Sequence, residues 1–189
     1  ELIYFNESIA YYTYLLGSVS DHTIVIKNDG ELYGSGINTS GQLGLGNTTN
    51  NSTLTLITTI RESLNGAYVS ISSKTPVAVS GGWYHTVVLM SNGELYGCGR
   101  NNYGQLGLGA VTSNQSTLTK ITHIRESVGG ANVSISSRTP VAVSCGGNHT
   151  LVLMSDGTLY GCGQNNVGQL GLGAGAGTAD QPTLTKITL

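Results

Sequence analysis

The stretch that decides the fold is HTLVLMSDGTLYGCGQNNVGQLGLG, which spans residues 149–173. Its two apolar runs are joined by Asp156-Gly157, a pair that supplies the positive backbone φ angles of a type I′ turn and so predicts a β-hairpin. The same stretch occurs as HTVVLMSNGELYGCGRNNYGQLGLG from His85 and as HTIVIKNDGELYGSGINTSGQLGLG from His22. Three copies at intervals of 63 and 64 residues predict a repeat protein.

Two further segments recur in step with the hairpin. A Thr-Leu-rich run occupies residues 53–60, 117–124 and 183–189, and the run VSISS-K/R-TPVAVS begins at Val69 and at Val133. Their β-branched residues favour strands, so each unit is predicted to contain four strands. A four-stranded antiparallel sheet that recurs at a fixed period is typical of a propeller blade.

The fold is therefore predicted to be all-β, with three four-stranded antiparallel propeller-type blades that make an incomplete propeller. The first blade begins with an atypical Tyr-rich strand. The three units are residues 1–64, 65–128 and 129–189.

The composition excludes several classes of protein. Only 10% of residues are charged, the net charge is −2, and 39% of residues are hydrophobic, which argues against disorder. Eight Lys and Arg residues cannot form the basic patch that nucleic acid requires, and no apolar run approaches the ~20 residues of a membrane span. Because the sequence begins with Glu1, we expect either a removed leader or a longer product.

The GQLGLG segment, which begins at Gly41, Gly104 and Gly168, has two interpretations. Glycine permits positive φ angles and close approach of another chain, which suits a tight loop where blades meet. A phosphate-binding loop would need a following helix and usually a lysine, and neither pattern follows here. We therefore favour the tight loop.

Residues 141–173 resemble a repeat of the regulator of chromosome condensation family; their sequence is VAVSCGGNHTLVLMSDGTLYGCGQNNVGQLGLG. The resemblance implies β-propeller blades, and it extends to the units from Gly82 and His22. The Trp-Gly pair often found in that family is replaced here, by Ser35-Gly36, Cys98-Gly99 and Cys162-Gly163. Family propellers usually close with seven blades, whereas this sequence supplies three.

An array of three blades leaves two unfinished ends, because closed propellers have about 4–8 blades. The chain is then a fragment, or two copies close a six-bladed ring, or copies join head to tail and form a filament. The Tyr-rich start is either a degenerate first strand or a strand that docks on another copy. Its candidate self-association residues are Tyr4, Tyr11, Tyr12 and Tyr14.

We therefore expect a non-enzymatic structural or interaction protein whose partners are other copies of itself. The alternative is a fragment of a larger propeller that binds a protein partner, and the family resemblance suggests a GTPase. We expect no catalytic, cofactor-binding or metal-binding residues, because no acid, base or nucleophile cluster recurs. The repeated residues His22, His85 and His149 are predicted to be framework groups that bond the turn of their own blade.

The cysteines give no sign of a zinc site or a disulfide framework, since Cys98, Cys145 and Cys162 are odd in number and lack C-x-x-C spacing. Asn-x-Ser/Thr sequons exceed the number expected by chance and predict N-glycosylation, which favours an extracellular, virion-surface or cell-surface location over the cytoplasm. The candidate glycosylation sites are Asn6, Asn38, Asn47, Asn50, Asn51, Asn114 and Asn132.

Overall fold

A computed structural model describes residues 15–17, 21–109, 112–173 and 177–188 of the chain, with side chains from residue 21 onward. These residues form sixteen β-strands and two single-turn 3₁₀ helices, so the prediction of an all-β fold is confirmed. Within these ranges no helix has the length and apolar character needed to cross a membrane.

The first sheet, blade 1, is an antiparallel meander with the order β1-β2-β3-β4. Its strands are β1 (Leu15–Gly17), β2 (His22–Ile26), β3 (Leu32–Gly36) and β4 (Asn51–Leu56). The predicted hairpin is confirmed, but its turn is not type I′. The Gly30 N–H donates to the Lys27 carbonyl at 2.9 Å, so Gly30 follows the centre of the turn with a φ of 83°, as in a three-residue loop with a bulge.

The second and third sheets each have six strands. Blade 2 comprises β7 (Pro76–Gly81), β8 (His85–Met90), β9 (Leu95–Gly99) and β10 (Gln115–Ile121), and blade 3 comprises β13 (Pro140–Cys145), β14 (His149–Met154), β15 (Leu159–Gly163) and β16 (Gln181–Ile187). The additional strands are the connector hairpins, which are β5 (Thr59–Arg61) with β6 (Tyr68–Ser70) and β11 (His123–Arg125) with β12 (Asn132–Ser134).

Each connector hairpin joins the sheet of the blade that follows it. β5 runs parallel to β10, with Ile60 opposite Leu118 and Arg61 opposite Thr119. The sequence predicts four strands per sheet, but two sheets have six because each also contains the two strands of a connector hairpin. The burial of Ile60 beside the outer strand of blade 2 favours this pairing. The predicted unit boundaries at 64/65 and 128/129 lie in the loops of these hairpins.

The apolar core lies between blades. Successive residues of a strand point to opposite faces of a sheet, so β8 contributes to both junctions. Val88 and Met90 pack in the cluster that contains Ile24 of blade 1, whereas Val87 and Leu89 pack in the cluster that contains Val152 of blade 3. Consequently every residue of β8 is buried.

The GQLGLG loops lie where blades meet, as predicted. A Cβ atom on Gly41 would lie 2.5 Å from Ser116 Cα in β10, and one on Gly104 would lie 2.3 Å from Pro182 Cα in β16. Real Cβ atoms do not approach other atoms so closely, so the close contact between backbones requires glycine.

Candidate interaction site

A chain of hydrogen bonds built on histidine crosses each blade junction. His22 Nε2 lies 2.9 Å from Thr86 Oγ1, and the Thr86 hydroxyl donates to the Gln42 carbonyl at 2.9 Å. Because the hydroxyl has one proton, His22 Nε2 must carry the N–H that donates to Thr86. The second junction repeats the arrangement with His85, Thr150 and Gln105, at 3.0 and 2.8 Å.

The structure corrects one prediction about these histidines. They are framework residues, but His22 and His85 bond the following blade rather than the turn of their own blade. The His-Thr pair that recurs in all three units was the sequence sign of this arrangement, because the threonine of each unit is the partner of the histidine in the preceding unit.

Both junction histidines are neutral. Burial lowers the pKa of His22, and burial together with its two histidine neighbours lowers the pKa of His85 to about 3. Their Nδ1 atoms are buried without a hydrogen-bond partner, so a second proton there would be unsatisfied. These rings therefore hold blades together and are unsuited to proton transfer near neutral pH.

Blade 3 has a face that no blade covers among the described residues, which we call the open face of blade 3. His149 is only half-buried there, whereas His22 and His85 are buried. Its apolar positions are Leu151, Leu153 and Leu159, the counterparts of Val87, Leu89 and Leu95 of blade 2. Leu153 is 39% exposed, whereas Leu89 is 4% exposed because blade 3 packs on it.

Blade 1 has the complementary face, which points away from blade 2 and which we call the open face of blade 1. Its residues are Thr23, Val25, Lys27, Tyr33, Ser35 and Leu54, the counterparts of Thr86, Val88, Met90, Tyr96, Cys98 and Leu118. Leu54 is 52% exposed, Val25 is buried, and the other four are half-buried. Lys27 therefore replaces a buried methionine. Its ammonium group pairs with Asp29 at 3.0 Å and Glu31 at 3.1 Å, and it lies 5.0 Å from the centre of the Tyr33 ring.

An ion-pair network fastens the first connector hairpin to blade 2. Lys74 pairs with Glu62 at 3.2 Å and with Glu94 at 2.5 Å, and Lys120 pairs with both glutamates. The Tyr96 hydroxyl donates to Glu62 at 3.1 Å. Burial opposes ionisation of Glu94, but hydrogen bonds from Lys120 and Lys74 outweigh it and lower its pKa to about 2. These carboxylates stay ionised, which suits a fastening role and not general acid catalysis.

The cysteines are free thiols, of which Cys98 and Cys162 are buried and Cys145 is half-buried. The Cys98 and Cys162 S–H groups donate to the Gln42 and Gln105 carbonyls at 3.4 Å. Burial raises the pKa of both, and burial raises the pKa of Cys145 to about 11, so none is activated as a nucleophile. In the part of the chain that the structure describes, no group of three His, Cys, Asp or Glu residues could hold a metal ion.

Asn38 is the predicted glycosylation site whose surroundings are most distinctive. It is fully buried, its Oδ1 accepts from the Leu43 N–H at 2.9 Å, and its Nδ2 donates to the Asn47 and Thr49 carbonyls at 3.0 and 3.1 Å. Asn101 and Asn165 hold the same place in the other units. This asparagine therefore fixes the GQLGLG loop, and its presence in all three units was the sign of that role.

The other predicted sites differ in exposure. Asn47, Asn50, Asn114 and Asn132 are exposed, and Asn51 is half-buried, with Nδ2 donating to Thr55 Oγ1 at 2.6 Å. Glycosylation of the exposed sites stays a prediction. The remaining candidates lie outside the described residues, namely Asn6, Tyr4, Tyr11, Tyr12 and Tyr14.

A surface cluster of aromatic residues and arginine lies at one end of blade 2, and sequence reasoning missed it. The Arg100 guanidinium lies 5.7 Å from the centre of the Tyr84 ring and 5.6 Å from that of Tyr103. Trp83 is exposed beside Tyr84, and its backbone N–H donates to Gly147 of blade 3. These residues are not repeated in the other units, so periodicity did not draw attention to them.

The chain is similar to longer proteins of known name. It is 34% identical over 159 residues to the ultraviolet-B receptor UVR8 of Arabidopsis thaliana, covering 84% of this chain and 31% of that protein. It is 40% identical over 98 residues to the X-linked retinitis pigmentosa GTPase regulator of Homo sapiens, covering 52% of this chain and 8% of that protein. The chain thus spans less than a third of the length of these relatives.

Two further comparisons concern the fold and the family. The crystal structure of yeast RCC1 (Prp20), which was solved bound to Kap60, superposes with a TM-score of 0.70 over 92% of this chain and 36% of that chain, at 18% identity, which shows a shared propeller fold. Models of the regulator of chromosome condensation (RCC1) repeat match residues 29–89, 92–153 and 156–188, and a second RCC1 model matches 77–105 and 141–169. The resemblance noted in the sequence is confirmed, and the chain belongs to the RCC1 repeat family.

Proposed function

We propose that this chain is a non-enzymatic interaction module that self-associates when the open face of blade 3 docks on the open face of blade 1 of a second copy. One observation carries the proposal. The counterpart of the open face of blade 3 is covered by a blade at both internal junctions, where Ile26 and Leu89 are each 4% exposed, whereas Leu153 is 39% exposed. Burial of such apolar surface favours association.

The second copy offers matching groups at the equivalent positions. Thr23 corresponds to the threonines that accept from His22 and His85, so it would accept from His149. A Cβ atom on Gly168 meets nothing within 4 Å, which leaves space for Ser52, the counterpart of Ser116 and Pro182. The contact is heterologous, so it gives a ring if the rotation closes and a filament if it does not.

The chemistry of the described side chains supports a non-enzymatic role. The junction histidines are neutral and hydrogen-bonded, the glutamates of the network are ion-paired, and the thiols have raised pKa values. Clefts of similar lining occur at both junctions, below the turns at Gly30 and Gly93, as expected for gaps between repeated blades.

Solution mass tests the proposal. By sedimentation equilibrium, we expect a mass above the 19.6 kDa of one chain, with a discrete dimer for a six-bladed ring and a broad distribution for a filament. Leu153→Lys should return the protein to one chain, because it places a charge in the contact. Val133→Lys is the matched control, since Val133 is also 39% exposed but lies on a connector hairpin. A wild-type mass of 19.6 kDa at all concentrations would refute self-association.

The second candidate function is binding of a different protein, for example a GTPase. The cluster of Trp83, Tyr84, Arg100 and Tyr103 favours it, because tryptophan, tyrosine and arginine are enriched at binding hot spots. The names of the relatives point the same way, since one is a GTPase regulator and the yeast protein was crystallised with Kap60.

Nucleotide-exchange assays test this candidate on a panel of small GTPases. We expect acceleration by the wild-type chain and loss of it in Trp83→Ala/Arg100→Ala. The control Leu153→Lys should keep the activity, because Leu153 lies on a different surface. No acceleration with any GTPase of the panel would remove exchange activity from consideration.

A further inference from the structure

Arg100 differs from the other cations of the chain in what its side chain contacts. Of the eight Lys and Arg residues, five form ion pairs, namely Lys27, Lys74, Lys120, Arg138 and Lys186. Arg61 and Arg125 donate hydrogen bonds within their own connector hairpins. Within the described ranges, the Arg100 guanidinium has the rings of Tyr84 and Tyr103 as neighbours and no hydrogen-bond acceptor. Its N–H groups can therefore donate to a ligand.

No carboxylate of the three described blades pairs with Arg100. Every Asp and Glu from residue 15 onward lies in the part of the chain that the structure describes. Six of these eight acids pair with a lysine or with Arg138, namely Asp29, Glu31, Glu62, Glu94, Glu126 and Asp156. Arg100 lies in the middle blade, with blade 1 packed on one side and blade 3 on the other. Its lack of an acceptor is therefore not the result of a missing neighbouring blade.

The backbone holds the aromatic groups around Arg100 in place. The Arg100 N–H donates to the Tyr84 carbonyl at 2.7 Å, and the Tyr103 N–H donates to Gln105 Oε1 at 3.0 Å. The Trp83 ring lies against the backbone of blade 3, since a Cβ atom on Gly147 would be 2.8 Å from it. These groups are therefore ordered before a ligand arrives, and an ordered site loses less entropy on binding.

The framework of the repeat does not require these residue types. Blade 3 forms the same hairpin and the same loop with other residues at the four equivalent positions, namely Gly147, Asn148, Gln164 and Val167. Trp83 is 53% exposed, and the side chains of Tyr84, Arg100 and Tyr103 are half-buried. The cluster is thus accessible, and its aromatic and cationic character serves something other than the packing of the blade.

We infer that the cluster of Trp83, Tyr84, Arg100 and Tyr103 binds an acidic segment of a partner protein. An Asp or Glu carboxylate of the segment accepts two hydrogen bonds from the Arg100 guanidinium, and a neighbouring apolar side chain of the segment packs on Trp83. One guanidinium suits a carboxylate, with its single negative charge, better than a phosphate, which carries nearly two at neutral pH. The inference rests on the second candidate function, binding of a different protein, and specifies the chemistry of that partner.

The test uses Trp83 as a reporter, because it is the only tryptophan of the chain. Short random peptides displayed on phage are selected on the full chain carrying Leu153→Lys, which removes docking of blade faces, so that failure of self-association leaves the readout unaffected. We expect the selected peptides to contain Asp or Glu beside an aromatic or large apolar residue. A synthetic copy of a selected peptide should change the fluorescence of Trp83 in a saturable way.

Two substitutions test the ion pair from its two sides. Arg100→Gln should weaken binding of the peptide at least tenfold, because a charge-assisted bidentate contact is lost. Replacing the acid of the peptide by its amide should weaken binding equally, and should cause no further loss in Arg100→Gln. Arg125→Gln is the matched control, since Arg125 is also half-buried but bonds Asn132 of its connector hairpin, and it should bind like the parent chain.

Several results would overturn the acidic ligand. They are selection of no peptide, equal binding by Arg100→Gln, and a bound peptide that leaves Trp83 fluorescence unchanged. Peptides that lack an acid and yet change this fluorescence would refute the acidic ligand but keep protein binding at the cluster. Tighter binding of a phosphoserine peptide than of the glutamate peptide would assign the site to phosphate.

A last variant examines the two side-chain carboxylates outside the described residues, Glu1 and Glu7. Glu1→Gln/Glu7→Gln should bind the peptide like the parent chain. Tighter binding by this variant would identify the N-terminal segment of the chain itself as the occupant, and would refute a partner protein. None of these measurements involves nucleotide exchange, so a chain without exchange activity gives the same readout.

Discussion

The open faces of blade 1 and blade 3 have different chemistry, although they derive from one repeat. Blade 3 presents Leu151, Leu153 and Leu159, with no charge among them. Blade 1 presents Lys27, paired with Asp29 and Glu31, where blades 2 and 3 have a buried methionine. Terminal repeats of an array commonly carry a polar outer face. By this criterion the open face of blade 1 is the more polar of the two, whereas the open face of blade 3 resembles the covered face of blade 2.

The largest expected effect contrasts an internal junction with the open face of blade 3 at one repeat position. Gly104 and Gly168 have φ angles of 80° and 78°, but only Gly104 faces another blade. We expect Gly104→Ala to lower the free energy of unfolding by about 4 kcal/mol, from positive-φ strain and overpacking against Pro182. Gly168→Ala should cost about 1 kcal/mol, from strain alone. Urea denaturation at dilutions where the chain is monomeric measures both, and equal losses would contradict the assignment of the junction.

A matched threonine pair tests the junction hydrogen bonds in the same way. Thr150→Val leaves the His85 N–H buried without its acceptor and should cost about 2 kcal/mol. Thr23→Val alters the equivalent residue on the open face of blade 1 and should change stability by less than about 0.5 kcal/mol. Thermal unfolding at low protein concentration compares them. A loss for Thr23→Val as large as that for Thr150→Val would show that the hydroxyl contributes within its own blade instead.

Acid should destabilise the internal junctions. Because the pKa of His85 falls from 6.5 to about 3 on folding, the unfolded chain binds a proton below pH 6.5 that the folded chain does not. Stability should therefore be constant with respect to this group above pH 6.5, and should fall by up to about 1.4 kcal/mol per pH unit between pH 6.5 and 3. Urea unfolding at several pH values measures the slope. His85→Gln should reduce the slope, and the slope that remains comes from other groups whose pKa values are lowered on folding, which include His22 and Glu94.

The smallest effect tests the polar character of the open face of blade 1. The triple variant Lys27→Met/Asp29→Asn/Glu31→Thr gives blade 1 residues of the other blades and should strengthen self-association about tenfold, because an ion-paired cluster no longer has to lose water. Lys186→Met is the control, since Lys186 is similarly exposed and pairs with Glu126 away from the open face of blade 3. Sedimentation equilibrium gives both constants. Weaker association of the triple variant would mean that the ion-paired cluster assists the contact.

The hairpins, the repeat and the tight loops were predictable because each depends on neighbours in sequence. Asn-Gly and Asp-Gly pairs between apolar runs specify a hairpin locally, and glycine at Gly41 and Gly104 indicated a close approach. The sheet that each connector hairpin joins was not predictable in this way. Two residues of parallel pairing, Ile60 and Arg61, carry too little pattern to show which blade they join.

The hydrogen-bond partners of residues that recur in each unit were harder to predict than the connector pairing. His85 was expected to bond its own turn, but its acceptor Thr150 lies 65 residues away. Asn38 matched a sequon, and only its equivalence with Asn101 and Asn165 distinguishes a loop-fixing residue from a glycosylation site. In both cases the decisive information was the comparison between units and not the local motif.

The pairing of a connector hairpin with the following blade has a consequence for synthesis of the chain. Glu62 of the hairpin and Lys120 of the blade that receives it are 58 residues apart. At ribosomal rates, β5 leaves the ribosome about 3 to 12 seconds before β10 does. During that interval Ile60 has no strand to cover it. The β10 strand of a neighbouring nascent chain can then pair with β5 as well as the β10 strand of the same chain does. We expect strand exchange between nascent chains to increase with the rate of expression.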